Sequence, residues 1–155
     1  KTLLWAVLKK LNLRFDGDLF SNLEEDDVIE IYRNDNIQVF RNFRFHQICS
    51  YNYSDLFIRR WDELFQRDRF VTKQIQNAAF KIFSGEETGR LDLDNIVPHH
   101  LQETHSPKLY LLDMKMRFFY PLKNKLGQVE YGLAVSKVNI VDKESKKYYI
   151  PELNF

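Results

Sequence analysis

The stretch from Lys108 to Val141 limits the fold more than any other part of the chain. Over Lys108–Tyr120, Leu112, Met114, Met116, Phe118 and Tyr120 alternate with Leu111, Asp113, Lys115, Arg117 and Phe119. Successive strand residues point to opposite faces, so this period of two predicts a strand with one apolar and one mixed face. Pro121 and Asn124-Lys125-Leu126-Gly127 break the run, and Gly127 can adopt positive φ. Val129, Tyr131, Leu133 and Val135 then carry a second strand, Gln128–Val141. A long antiparallel hairpin is scaffold rather than catalytic machinery.

The preceding residues read as alternating sheet and helix. Leu3, Leu4, Val7, Leu8 and Leu11 form one stripe on a helix over 2–12. Val28–Tyr32 and Ile37–Phe45 read as strands joined by Asn34-Asp35-Asn36, because Asn and Asp tolerate the left-handed conformation. Ser54 is placed to cap a helix over Asp55–Gln66, with Phe57, Ile58, Trp61, Leu64 and Phe65 inward. Asp68 is placed to cap a second helix, Arg69–Ser84, which Gly85 stops. Leu91, Leu93 and 95–97 suggest an extended segment, and Pro98 assigns it to an edge or a bend.

Several function classes are disfavoured by content alone. The 155 residues carry a formal net charge of +1, so the chain lacks the basic footprint that a phosphate backbone demands. No direct nucleic-acid partner is expected. The N-terminal apolar run Leu3–Leu8 is too short to span a bilayer, so no membrane partner is expected either. A lone cysteine, Cys49, excludes an internal disulfide and suits a reducing, cytoplasmic setting. Aromatic residues make up 15% of the chain, which implies a bulky core or an apolar cavity. The chain opens on Lys1, so it is expected to be a piece of something longer.

Motifs for catalysis are missing. The five glycines are scattered, with no phosphate loop or dinucleotide fingerprint. His99, His100 and His105 are close in sequence. On an extended strand, however, the outer two would stand roughly 20 Å apart, and adjacent ones would face opposite ways. No metal site is expected from them. The acidic run Glu24–Asp27 lacks the glycine and alternating ligands of a calcium loop. Cys49 has no cationic neighbours in sequence to lower its pKa, and reads as a small buried residue.

The order helix, two strands, two helices and closing strands resembles the PAS family of sensory domains over residues 28–142. The matching parts are Val28–Phe45, Tyr53–Ser84 and Leu109–Val141. Within them, Phe119–Gly132 runs as an aromatic strand, a polar turn with glycine, and a strand bearing a small residue. Val138–Asp142 partly matches a short output motif of that family. The resemblance implies an α+β fold with an antiparallel sheet of about five strands, helices over one face and a leading N-terminal helix. It divides the chain into a helical dimerisation segment (1–27), a sensory domain (28–142) and a tail or truncated linker (143–155).

The flavin-binding Asn-Cys-Arg-Phe-Leu-Gln motif is absent, and Tyr53–Ser84 contains no histidine. No flavin adduct, haem or other cofactor is therefore expected. The function implied is a non-catalytic sensory or protein-interaction domain of a signalling or transcription-regulating protein, acting by population shift. A small ligand would occupy a cavity lined by Phe57, Trp61, Phe65, Ile75, Met114, Met116, Phe118 and Leu133, if the Met/Phe parity faces the helices. Leu4, Val7, Leu8 and Leu11 are the candidate interface of a homodimer. Two alternatives stand beside this reading: a structural dimerisation domain without ligand, and a small cavity-containing α+β enzyme or lipid carrier.

Overall fold

In the computed structural model, residues 1–57 and 59–143 are described. The tail expected over 143–155 lies outside them save for Lys143, and so does the side chain of Phe57.

Helix α1 (Thr2–Lys10) carries Lys9 and Lys10 in its last turn, where cations suit the negative end of the helix dipole. Strands β1 (Val28–Arg33) and β2 (Gln38–Arg41) form the expected hairpin, with Asn36 left-handed at φ 68°. The second strand ends earlier than its alternation suggests. Asn42 accepts from the Phe45 amide and caps a helix, α2 (Phe43–Ile48). The helix expected over Asp55–Gln66 divides into α3 (Tyr53–Phe57) and α4 (Trp61–Leu64), because Arg60 between them is extended. The α3 cap is Asn52, which accepts from the Asp55 amide at 2.9 Å, rather than Ser54. Phe65–Gln66 leave the helix to form strand β3. Helix α5 (Arg69–Phe83) is capped by Asp68 and buries Val71, Ile75, Ala78 and Ile82, as the periodicity predicts.

The remaining strands are β4 (Leu91–Asp92), β5 (His99–Glu103), β6 (Leu111–Lys123) and β7 (Val129–Asp142). All pair antiparallel in one sheet ordered β2-β1-β7-β6-β5-β3, with β4 also on β6. Among the described residues the sheet has seven strands, and the two-residue β3 and β4 are its additions to the expected core of about five. Pro121 does not end β6. It pairs with Gly132, on a stretch flanked only by β4 at Phe119 and a bridge from Arg14 at Lys123. Proline is tolerated where no neighbouring strand needs its amide.

Both faces of this sheet are buried. Helices α2, α4 and α5 cover the inner face, over a core that includes Met114, Met116, Phe119, Ala134 and Val138. The outer face packs Ile29, Ile31, Phe118, Tyr120, Leu122, Leu133 and Val135 against α1 and the segment after it. The register explains which residue goes where. Met114 pairs with Val138 and Met116 with Ser136, but after a bulge at Arg117 it is Phe118 that pairs with Val135 and Phe119 with Ala134. One extra residue reverses the parity of the strand. Phe118 therefore packs on the outer face, fully buried, and Phe119 takes the inner position expected of Phe118.

Arg117 has a reason to occupy the bulge. Its guanidinium pairs with Asp27, which is wholly buried, and lies 2.7 Å from Glu24, while its carbonyl accepts from the Leu93 amide.

The middle of the α1 stripe is spent within the chain. Leu4 and Leu8 are buried in the outer core, and Val7 packs against it. Leu4 and Leu8 are thus withdrawn from any surface, because the outer face of the sheet is itself apolar and needs cover. Leu3 and Trp5 are exposed instead, and Leu11 stands at the margin. Among the described residues no helix is long and apolar enough to cross a membrane.

Candidate functional site

A cavity of about 80 Å³ lies between the inner face and its helices. Its floor includes Val28 from β1, Met114, Met116 and Phe119 from β6, and Ala134 and Val138 from β7. Its cover includes Phe45 and Ile48 from α2, Trp61 from α4, Phe65 from β3, and Ile75, Ala79 and Ile82 from α5. Gly132 lets α5 approach: a Cβ there would stand 3.2 Å from the Phe83 ring.

Of the residues expected to line a cavity, Trp61, Phe65, Ile75, Met114 and Met116 are brought together here. Leu133 borders the cavity, but it belongs to the outer core. Phe118 does not line it, for the reason the bulge supplies.

The periodicity did not point to a polar end, yet the cavity has one. Glu30, Tyr32, Asn36 and Arg67 also line it. Glu30 accepts from the Tyr32 hydroxyl at 2.9 Å and from the Gln38 amide. Gln38 in turn accepts from Arg41, whose other arm donates to the Leu56 carbonyl at 3.2 Å. Burial raises the Glu30 pKa, against the opposing pull of the Tyr32 bond and Arg41. Burial and then the Glu30 charge push the Tyr32 hydroxyl well up. Burial lowers the pKa of both Arg41 and Arg67. The Arg67 guanidinium lies over Trp61, 5.1 Å from the ring centre, and its buried Nε has no hydrogen-bond partner.

The glutamate was visible in principle as the one charge inside Val28-Ile29-Glu30-Ile31, a run otherwise buried in both directions. Arg67 sits in the link between β3 and α5, where no periodic signal exists.

Glu103 holds the cover in place. It is buried at the end of β5 and accepts from the Ser50 amide and hydroxyl, the Ser106 hydroxyl and the Tyr110 amide. Its backbone partner in the ladder is Phe65, a lining residue. Beside it, the Tyr51 hydroxyl donates to the Leu64 carbonyl and accepts from the Thr104 amide.

The other candidate groups stand apart. Cys49 is buried, and desolvation pushes its thiol up to about 12, so it stays protonated and is a poor nucleophile. His99 is buried, with Nδ1 3.1 Å from the Val97 carbonyl, Nε2 unpartnered, and a pKa lowered by burial. His100 is exposed beside Asp113, and His105 is exposed. Among the described lining residues there is no histidine and no cysteine. Glu24, Asp26 and Asp27 come close enough to suggest a cation site. The Lys137 ammonium already sits among them, 2.8 Å from Glu24 and 3.2 Å from Asp27 and paired with Asp26, so a cation of the chain's own fills that position.

No protein-family model matches the sequence, and no curated protein matches it. Solved structures do. A sensory box sensor histidine kinase from Vibrio cholerae aligns over 91% of this chain and 92% of its own, at 13% identity and a TM-score of 0.47. The light-state dimer of the fungal blue-light photoreceptor Vivid aligns over 86% of this chain and 91% of its own, at 9% identity and a TM-score of 0.50. The chain has the PAS-like α+β fold.

Proposed function

We propose that this chain is a non-catalytic sensory domain of a signalling or transcription-regulating protein, and that it binds a small molecule in the inner cavity. The supporting observation is the cavity itself: an apolar space with a few convergent polar groups, between the sheet and the helices of a PAS-like fold. Neither haem nor a flavin adduct is expected as that ligand. The setting is cytoplasmic.

The signal is a population shift. The strands under the ligand also carry the outer core: Glu30 lines the cavity while Ile29 and Ile31 hold α1. Occupancy that favours one strand arrangement therefore changes the footing of α1. The partner that reads α1 is a second copy of the chain, docking on exposed Leu3 and Trp5; the Vivid neighbour was solved as a dimer.

Native mass spectrometry across a range of protein concentrations tests both parts. A co-purifying small molecule together with a dimer that Leu3→Glu dissociates is the expected result. A ligand-free monomer at every concentration, unaltered by small apolar additives, refutes the proposal and leaves the cavity as ordinary packing.

A further inference from the structure

We infer that the cavity takes a short-chain carboxylate, its tail of three or four carbons against Met114 and Met116 and its head on Arg67. This rests on the ligand-cavity reading above.

Size limits the tail. A cavity of roughly 150 Å³ accepts the six carbons of benzene. The space here is about 80 Å³, which by the same ratio bounds the apolar tail at three or four carbons, with the head at the polar end beside Arg67. The surfaces that meet the tail are the Met114 and Met116 side chains, Ile75, Ala134 and Val138, and flexible methionines adapt to small changes of tail shape.

Charge selects the head. Arg67 lines the cavity, its Nε is buried with no acceptor, and it enters no ion pair among the described residues. A desolvated donor without an acceptor is costly. Trp61 holds the guanidinium in place without using its donors. None of the neighbouring groups hydrogen-bonds it: Glu30 accepts from Tyr32 and Gln38, Arg41 donates to Gln38 and Leu56, and Asp62 pairs with Arg60, so Glu30 and Asp62 act on Arg67 only through their charge. Guanidinium presents its donors as a planar fork that two carboxylate oxygens satisfy together. An alcohol offers a single acceptor, and an ammonium would meet the like charge of Arg67.

The chain supplies its own probes. It contains two methionines, and both line the cavity. With ¹³C-methyl methionine, the two methyl resonances report entry directly. Pentanoate, 1-pentanol and pentylamine are titrated into the wild type, Arg67→Gln and Arg67→Lys. Saturable shifts of both methyls by pentanoate are expected, at least tenfold tighter than by 1-pentanol. Arg67→Gln removes that advantage and leaves the alcohol unaffected; Arg67→Lys, which keeps charge but not the fork, falls between.

If 1-pentanol binds as well as pentanoate in the wild type, or pentylamine binds better, the carboxylate assignment is overturned while the ligand cavity stands. This comparison needs no variant to fold. If no probe moves either methyl, the assignment and the cavity reading both fall.

Discussion

Replacing Glu103 with alanine should loosen the cover of the cavity. The carboxylate accepts from two backbone amides, Ser50 at 2.6 Å and Tyr110 at 2.9 Å, and from the hydroxyls of Ser50 and Ser106. The hydroxyls can turn to other acceptors, but the amides cannot. Each amide left unpaired costs about 1–3 kcal/mol, so Glu103→Ala should cost about 4 kcal/mol. Glutamine is the informative control. Its carbonyl oxygen can occupy the position that serves Tyr110, Ser106 and the Ser50 hydroxyl, which leaves its amide group facing the Ser50 amide alone. Glu103→Gln should therefore cost about half as much, about 2 kcal/mol. In a thermal melt the alanine variant should fall by roughly 8–16 °C, at about 2–4 °C per kcal/mol for a chain of this size. Equilibrium urea unfolding gives the free energies directly, as a shift of midpoint at unchanged slope. A cost below about 1 kcal/mol for alanine would refute the assignment of Glu103 as the clamp between β5, the α2–α3 link and the β5–β6 turn. An equal cost for glutamine would show that its charge matters, not the number of donors it satisfies.

The remaining predictions concern the two faces of the sheet. Phe118→Ala should cost about 3–5 kcal/mol and leave the Met114 and Met116 methyl resonances nearly in place; Phe119→Ala should move both resonances, and the same response from each variant would contradict the bulge at Arg117. Leu8→Ala should cost about 2–5 kcal/mol, whereas Leu3→Glu should stay within about 0.5 kcal/mol of the wild type in urea unfolding of the monomer, as buried and exposed positions on one helix require. Burial raises the Glu30 pKa in the folded state above its ordinary 4.5. The folded chain then binds more protons than the unfolded one between those two values, so stability falls as pH rises through that window. Glu30→Gln, which keeps the acceptor for Tyr32 and Gln38, should flatten that part of the stability–pH curve, and an unchanged slope would show that Glu30 ionises as readily inside as outside.

Elements with a strong period and a clean cap were legible in the residues. Helix α5 follows from Asp68, the Val71–Ile82 stripe and Gly85, and all three act as their chemistry requires. The closing hairpin follows from alternation. What alternation does not contain is the count of residues between two paired positions. Arg117 adds one, and the reason is distant in sequence: a buried carboxylate at Asp27. The same limit hid α2, because Phe43-Arg44-Phe45 alternates like a strand while the cap that turns it into a helix is a single Asn42 oxygen. It also hid the division of the α3–α4 region, since Phe65 and Gln66 are drawn into the sheet by Glu103 and Gln102.

The cavity shows the same division between local and distant causes. Its apolar floor could be read from the methionines before the bulge, but not from Phe118 after it. Its polar end depends on where the β1–β2 hairpin meets the link into α5. Glu30 announces itself as a charge inside a buried strand. Arg67 does not, for an arginine in a short link is usually solvated; it becomes notable only when Trp61 holds it beside the cavity with an acceptor still to be supplied. The proposed specificity of the site thus rests on a residue whose neighbours in space, and not in sequence, give it that role. For that reason Arg67 is where substitution should change what the domain recognises without changing how it folds.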